Sequence, residues 1–166
     1  MKFWEIKNLE EEVAEILFYG EIYDNSPWWE DGNCISTKQF LEDIEILKNK
    51  KEITIRINSL GGNVFAATAI YSQLKTLKAF KTVIIDGICA SAAVIIALAG
   101  DKIKIPVNGM MMIHNPSINV FDNFEASDLD RLKSSLETCK ASIIECYKQK
   151  TKLTEEELSD LMDNTT

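Results

Sequence analysis

Apolar and polar positions change period regularly along the chain. Glu15–Tyr19 (EILFY) and Ile53–Ile57 (ITIRI) are short runs, the second rich in β-branched residues, and both read as strands. Between them, Asn25–Asn33 (NSPWWEDGN) is a turn-rich loop, and Thr37–Leu47 (TKQFLEDIEIL) has the period of an amphipathic helix. After ITIRI comes Asn58-Ser59-Leu60-Gly61-Gly62, then a helix from about Val64 to Leu77 with Ile70, Leu74 and Leu77 on one side. The stretch Lys81–Gly100 (KTVIIDGICASAAVIIALAG) predicts a buried strand over Thr82–Ile85, a turn at Asp86-Gly87 and a short apolar helix over Ala90–Ala99. Lys102–Ile105 and Met110–Ile113 read as two more strands, with Val107-Asn108-Gly109 as a turn between them. Strands alternating with helices define an α/β fold with largely parallel strands.

The second half changes character. Phe121–Ser127 reads as a loop and Asp128–Lys150 as a long helix. Its apolar positions Leu129, Leu132, Leu136, Cys139, Ile143 and Cys146 keep a 3-4-3-4-3 spacing. That seam is narrower than a core helix needs, and packing of a protruding helix against another subunit explains it most simply, with a helix lying on its own domain as the near-equal alternative. Thr154-Glu155-Glu156-Glu157 is a capping box that opens a final helix, which ends near Asp163.

With 166 residues and 46% apolar content, the chain suffices for a single domain over 1–166 with a real core. The formal net charge is -8 and no Lys/Arg stripe forms, which argues against nucleic acid as a partner. The N-terminus lacks a signal-peptide core, and the longest apolar run, Ile88–Ala99, is too short to span a bilayer. A membrane partner is therefore not expected. Cys34, Cys89, Cys139 and Cys146 form no CxxC pair, and His114 is the single histidine. No metal site and no cofactor are expected, and reduced thiols fit the cytoplasm.

Two strand ends carry the chemistry. Ser91 falls where an apolar helix begins, so its hydroxyl either caps that helix or serves as a nucleophile. Gly61-Gly62 permits positive φ and leaves backbone N–H groups unblocked. The N–H groups of Gly62 and of Ala92, the residue after Ser91, could hold a developing oxyanion; a simple tight turn is the plainer alternative. His114, at a strand end before Asn115-Pro116, is the one imidazole available as general base. Asp86, Asp101, Asp122, Asp160 and Asp163 are candidate carboxylates to orient it, and spacing does not choose among them. Cys89 is a rival nucleophile, expected instead to pack inward.

INSLGGNVFAATAIY followed by DGICASAAVIIALAGDKIKIPVNGMMMIHNP resembles the proteolytic subunit of the Clp protease family, and most closely its phage and prophage branch. The resemblance runs from about Phe18 to the end and implies the ClpP/crotonase-like αβ superhelix. It also implies Ser91 as nucleophile, His114 as general base and Asp163, in LMDNTT, as the third member. By the same resemblance, Gly62 and Ala92 supply the oxyanion donors, and substrate pairs as an extended strand beside Gly61. The implied activity is a serine endopeptidase acting on peptides or unfolded proteins, with capsid or scaffold maturation as the phage role. The implied assembly is a homo-oligomer of heptameric or stacked rings joined through the Asp128–Lys150 helix.

Four departures qualify this. Leu60 stands where the family usually has proline, and Ala92-Ala93 where it usually has Met-Gly. The N-terminal part is shorter than in housekeeping enzymes, which weighs against an ATPase unfoldase partner. The chain ends three residues after Asp163, where family chains continue, so a C-terminal truncation is expected. An inactive assembly subunit and an acyl-CoA enzyme of crotonase architecture are the two rival readings.

Overall fold

The computed structural model describes residues 3–23 and 37–165. The predicted loop Asn25–Asn33 and Cys34 lie outside the described residues. The chain divides into two compact units, residues 1–112 and 113–166.

The first unit is built on a six-stranded sheet. Strands β1 (Trp4–Asn8), β2 (Val13–Tyr19), β3 (Glu52–Ser59), β4 (Phe80–Ala90) and β5 (Lys102–Lys104) lie in that spatial order, and β6 (Met110–Met112) also pairs with β4. Every pairing is parallel except β1 with β2. The predicted α/β class with a largely parallel sheet therefore stands. Strand β1 alternates apolar and charged residues from Trp4 to Lys7, a period too brief to stand out in the sequence.

Burial alternates along β2, β3 and the first half of β4. The register aligns Ile16 with Ile55 and Ile55 with Val83, and Phe18 with Ile57 and Ile57 with Ile85, so the buried side chains form rows across the sheet. Helices α1 (Thr37–Ile44), α2 (Val64–Thr76) and α3 (Ala92–Ala97) complete the unit, and α2 packs against both of the others. A 3-10 turn over Glu45–Leu47 extends α1. Fully burying an isoleucine contributes roughly 1.5–3 kcal/mol, so these rows are the main stabilising element of the unit. An aromatic cluster adds to them: Phe3, Trp4, Phe18 and Phe40 pack with ring centroids 5.2–5.8 Å apart. Trp4 Nε1 also donates to Asp43 at 2.8 Å.

The Asp86-Gly87 turn expected from the sequence does not form. Strand β4 continues through it to Ala90, and the following helix is shorter than expected, starting at Ala92 and ending at Ala97. Two interactions explain the difference. The Asp86 carboxylate accepts hydrogen bonds from Arg56 of β3 (Nε at 2.8 Å, and Nη2) and from the Tyr19 hydroxyl of β2 at 2.5 Å, so its charge is compensated within the sheet. Asn58 Oδ1 accepts from the backbone N–H of Ile88 at 3.2 Å where the β3–β4 register shifts, so the strand bulges without breaking.

The second unit contains α4 (Ala126–Lys148), which begins two residues before the predicted start because Glu125 and Asp128 form a reciprocal capping box. The predicted Thr154 capping box is present and opens α5 (Glu155–Asp163), which packs against α4. Along the predicted seam, Leu129 is exposed, Leu132, Leu136, Cys139 and Cys146 are half-buried, and Ile143 is buried.

Two lysines are almost completely buried, and both are saturated with acceptors. Lys81 Nζ donates to the carbonyls of Leu77 at 3.0 Å and Ala79 at 2.7 Å, with Asp101 at 3.4 Å. Lys50 Nζ donates to Asn8 Oδ1 and to the carbonyls of Glu10 and Glu11 at 2.6 and 2.8 Å. Lys81→Met keeps the apolar stem and orphans its acceptors. It is expected to lower unfolding stability by about 2–3 kcal/mol, read as a reduced urea midpoint at unchanged m-value.

Candidate active site

Within the first unit the two predicted strand ends meet. Strand β3 ends at Ser59, whose buried Oγ accepts from the Gly61 N–H at 3.1 Å. Gly61 and Gly62 adopt φ of 96° and 140°. A Cβ at Gly61 would lie 2.6 Å from the Ala90 carbonyl oxygen, 2.7 Å from Ser91 Cβ and 2.9 Å from the Ala92 nitrogen. The glycine is thus demanded twice, by its φ and by the backbone pressed against it. Gly62 is equally constrained, since its Cβ would meet the Ile22 carbonyl oxygen at 2.1 Å.

The pairing around Ile22 also orients the glycine backbone. Ile22 N–H donates to the Gly61 carbonyl at 2.8 Å, and Asn63 N–H donates to the Ile22 carbonyl at 2.7 Å. In such a parallel bridge the central residue, Gly62, turns its own N–H to the opposite side. The N–H of Ala92 opens α3 and has no acceptor within that helix.

Ser91 joins β4 to α3 with φ 55° and ψ -127°, an unusual conformation for a residue with a Cβ. Its side chain makes no cap hydrogen bond to α3, so side-chain capping does not account for the serine. Its backbone is held on both sides: the N–H donates to the Met112 carbonyl at 2.8 Å, and the Ser91 carbonyl accepts from Val94 N–H at 3.0 Å. Strain of this kind costs about 1–3 kcal/mol and persists only where the surroundings enforce it.

Cys89 is fully buried, and burial pushes its thiol pKa up to about 12. It packs inward as expected, and at neutral pH it is a thiol, not a nucleophilic thiolate.

In the second unit, His114 follows β6 by two residues, and the next side chain, Asn115, donates from Nδ2 to Asp163 Oδ1 at 2.6 Å. The segment carrying His114 is thereby tied to the last residue of α5. Lys140 Nζ of α4 donates to the same oxygen at 2.7 Å. The Asn115 amide, then Lys140, hold the Asp163 carboxyl below the usual aspartate range. Of the other candidate carboxylates, Asp86 is engaged by Arg56 and Tyr19, and Asp101 by Lys81. Asp122 accepts from the N–H of Asn123, and Asp160 lines a groove between α4 and α5.

Sequence reading missed the supporting residues: Asn58 at the β4 bulge, Ser59 behind Gly61, and Asn115 and Lys140 around Asp163. A polar Asn-Ser pair closing an apolar strand is the available signal for the first two. Nothing local marks Lys140, which lies 23 residues from its partner. Among the described residues no cluster of His, Cys, Asp and Glu could hold a metal ion, and no helix is long and apolar enough to cross a membrane.

A strand-to-helix elbow bearing a strained serine, closed by a Gly-Gly turn on a parallel sheet, defines a ClpP-like α/β protein. The Clp protease family model matches residues 30–166, and the chain belongs to that family of peptidases. It is 31% identical over 140 residues to the ATP-dependent Clp protease proteolytic subunit 1 of Chlamydia pneumoniae, covering 82% of this chain and 72% of that protein. Its match to the Chlamydia trachomatis serovar D subunit is 30% identical over 123 residues and covers 72% of this chain and 64% of that protein. Among solved structures, a ClpP1 point mutant from Listeria monocytogenes superposes with a TM-score of 0.71 at 25% identity, over 91% of this chain and 80% of that one.

Two outcomes follow from this geometry. Gly61→Ala is expected to force the Ser91–Ala92 backbone away and to destabilise the fold by more than about 2 kcal/mol, measured by chemical denaturation. Cys89 is expected to remain unalkylated by iodoacetamide in the native protein at a mildly alkaline pH of about 8 and to react fully in urea, read by peptide mass spectrometry.

Proposed function

We propose that this chain is a serine endopeptidase in which Ser91 attacks the scissile carbonyl. The observation that carries the reading is the Ser91 elbow, a non-glycine residue held at positive φ against a glycine that tolerates no Cβ. Strain and close packing at one hydroxyl are what a fixed nucleophile requires, and capping does not explain them. His114 takes the proton from Ser91 and returns it to the leaving amine. Asp163 holds the imidazole in the tautomer that can accept. The N–H groups of Gly62 and Ala92 stabilise the tetrahedral oxyanion, a contribution of roughly 3 kcal/mol per donor in other acyl-transfer enzymes.

Substrate enters as an extended segment beside Gly61, where main-chain pairing gives affinity with little side-chain selectivity. Selectivity then comes from access to a closed chamber made by a ring of copies. The α4 seam supports such an assembly, because Leu129 is exposed in the single chain and Leu132 and Leu136 are only half-buried.

The test is labelling with a fluorophosphonate probe, run beside a sizing measurement. Labelling is expected on Ser91, at background in Ser91→Ala and reduced at least about 10³-fold in rate in His114→Ala. A folded oligomer that takes no label would overturn the reading in favour of an inactive assembly subunit.

A further inference from the structure

Asp163 closes α5 with its side chain half-exposed, a place where a carboxylate would ordinarily sample several rotamers. Here two donors from different elements converge on one oxygen, Oδ1: the Asn115 amide at 2.6 Å and the Lys140 ammonium at 2.7 Å. A side-chain hydrogen bond from Ser159 adds to them, so the carboxylate is held in one orientation. We propose that Lys140 is a positioning residue, its ammonium acting with the Asn115 amide to fix the rotamer in which Asp163 orients His114. This rests on the triad reading above and adds a residue to it.

Three observations support the assignment. First, Asn115 Oδ1 is buried and accepts no hydrogen bond among the described residues. An amide that leaves a buried acceptor unmet is being oriented by its donor side, here by Asp163. The reverse orientation would set a carbonyl oxygen against the carboxylate.

Second, Lys140 has acidic residues closer to it in sequence and pairs with a more distant one. It lines the groove between α4 and α5 with Glu137, Glu155, Glu156 and Asp160, yet its ammonium meets Asp163. Third, a half-exposed pair of this kind contributes little to global stability, so its geometry serves placement more than folding. For the same reason, substitution at Lys140 leaves a folded protein.

His114 is the single histidine, so selective labelling gives one imidazole signature. Protein labelled with ¹⁵N at histidine is sedimented as the intact assembly, and its neutral imidazole tautomer is read by solid-state NMR. The expected wild-type signature is a dominant Nδ1–H form, as a carboxylate acceptor at Nδ1 dictates. Lys140→Met is expected to convert it to a tautomer mixture, and Lys140→Arg to retain it. Asp163→Ala is the control that removes the acceptor.

If Asp163→Ala changes the signature and Lys140→Met does not, the role of Lys140 is overturned while the triad reading stands. If Lys140→Arg is as disruptive as Lys140→Met, a charged donor is not what the site needs, and the proposal is overturned. If Asp163→Ala changes nothing, the Asp163–His114 reading fails and takes this one with it.

Discussion

The first unit depends on one close contact, the approach of Gly61 to the Ala90–Ser91–Ala92 backbone at distances that no β-carbon could occupy. Everything around it serves that approach. Ser59 ends β3 with its hydroxyl turned back to hold the Gly61 N–H, and Ile22 clamps Gly61 and Asn63 from the other side. The β4–β6 pairing then fixes Ser91 from a third direction. Hydrophobic rows supply the stability of the sheet, but this contact decides where the two strand ends sit relative to each other.

A second constraint is electrostatic. Strand β4 reaches Ser91 only because it does not turn at Asp86, and it does not turn because Arg56 and Tyr19 compensate that carboxylate in the sheet. Neighbouring strands therefore lengthen β4 beyond what its own sequence would support. The bulge at Asn58 absorbs the change of register between β3 and the second half of β4. Strand β5 pairs with the first half of β4 and β6 with the second, which brings β6 alongside the residues just before Ser91.

The second unit concentrates its charge in a similar way. One carboxylate at the end of α5 collects an amide and an ammonium that are 48 and 23 residues away in sequence. On the proposed mechanism, that convergence gives a helix-terminal aspartate the fixed direction that orienting an imidazole requires.

The class of fold, the helices α2 and α5, the inward packing of Cys89 and the positive φ at Gly61-Gly62 are legible in the sequence, because each depends on local chemistry: hydrophobic period, a capping box, an apolar flank, the absence of a β-carbon. Ser91 and His114 stand out for a related reason, as polar groups at the ends of apolar segments, whereas spacing leaves Asp163 one carboxylate among several. Strand β1, the continuation of β4 through Asp86-Gly87 and the Lys140–Asn115–Asp163 cluster are not legible. Each turns on a partner far along the chain: an antiparallel neighbour for β1, a guanidinium for Asp86, an ammonium for Asp163. Local sequence determines what a segment can form by itself. Which charges are neutralised, and hence where a strand ends and a carboxylate points, was decided only when the fold brought those partners together.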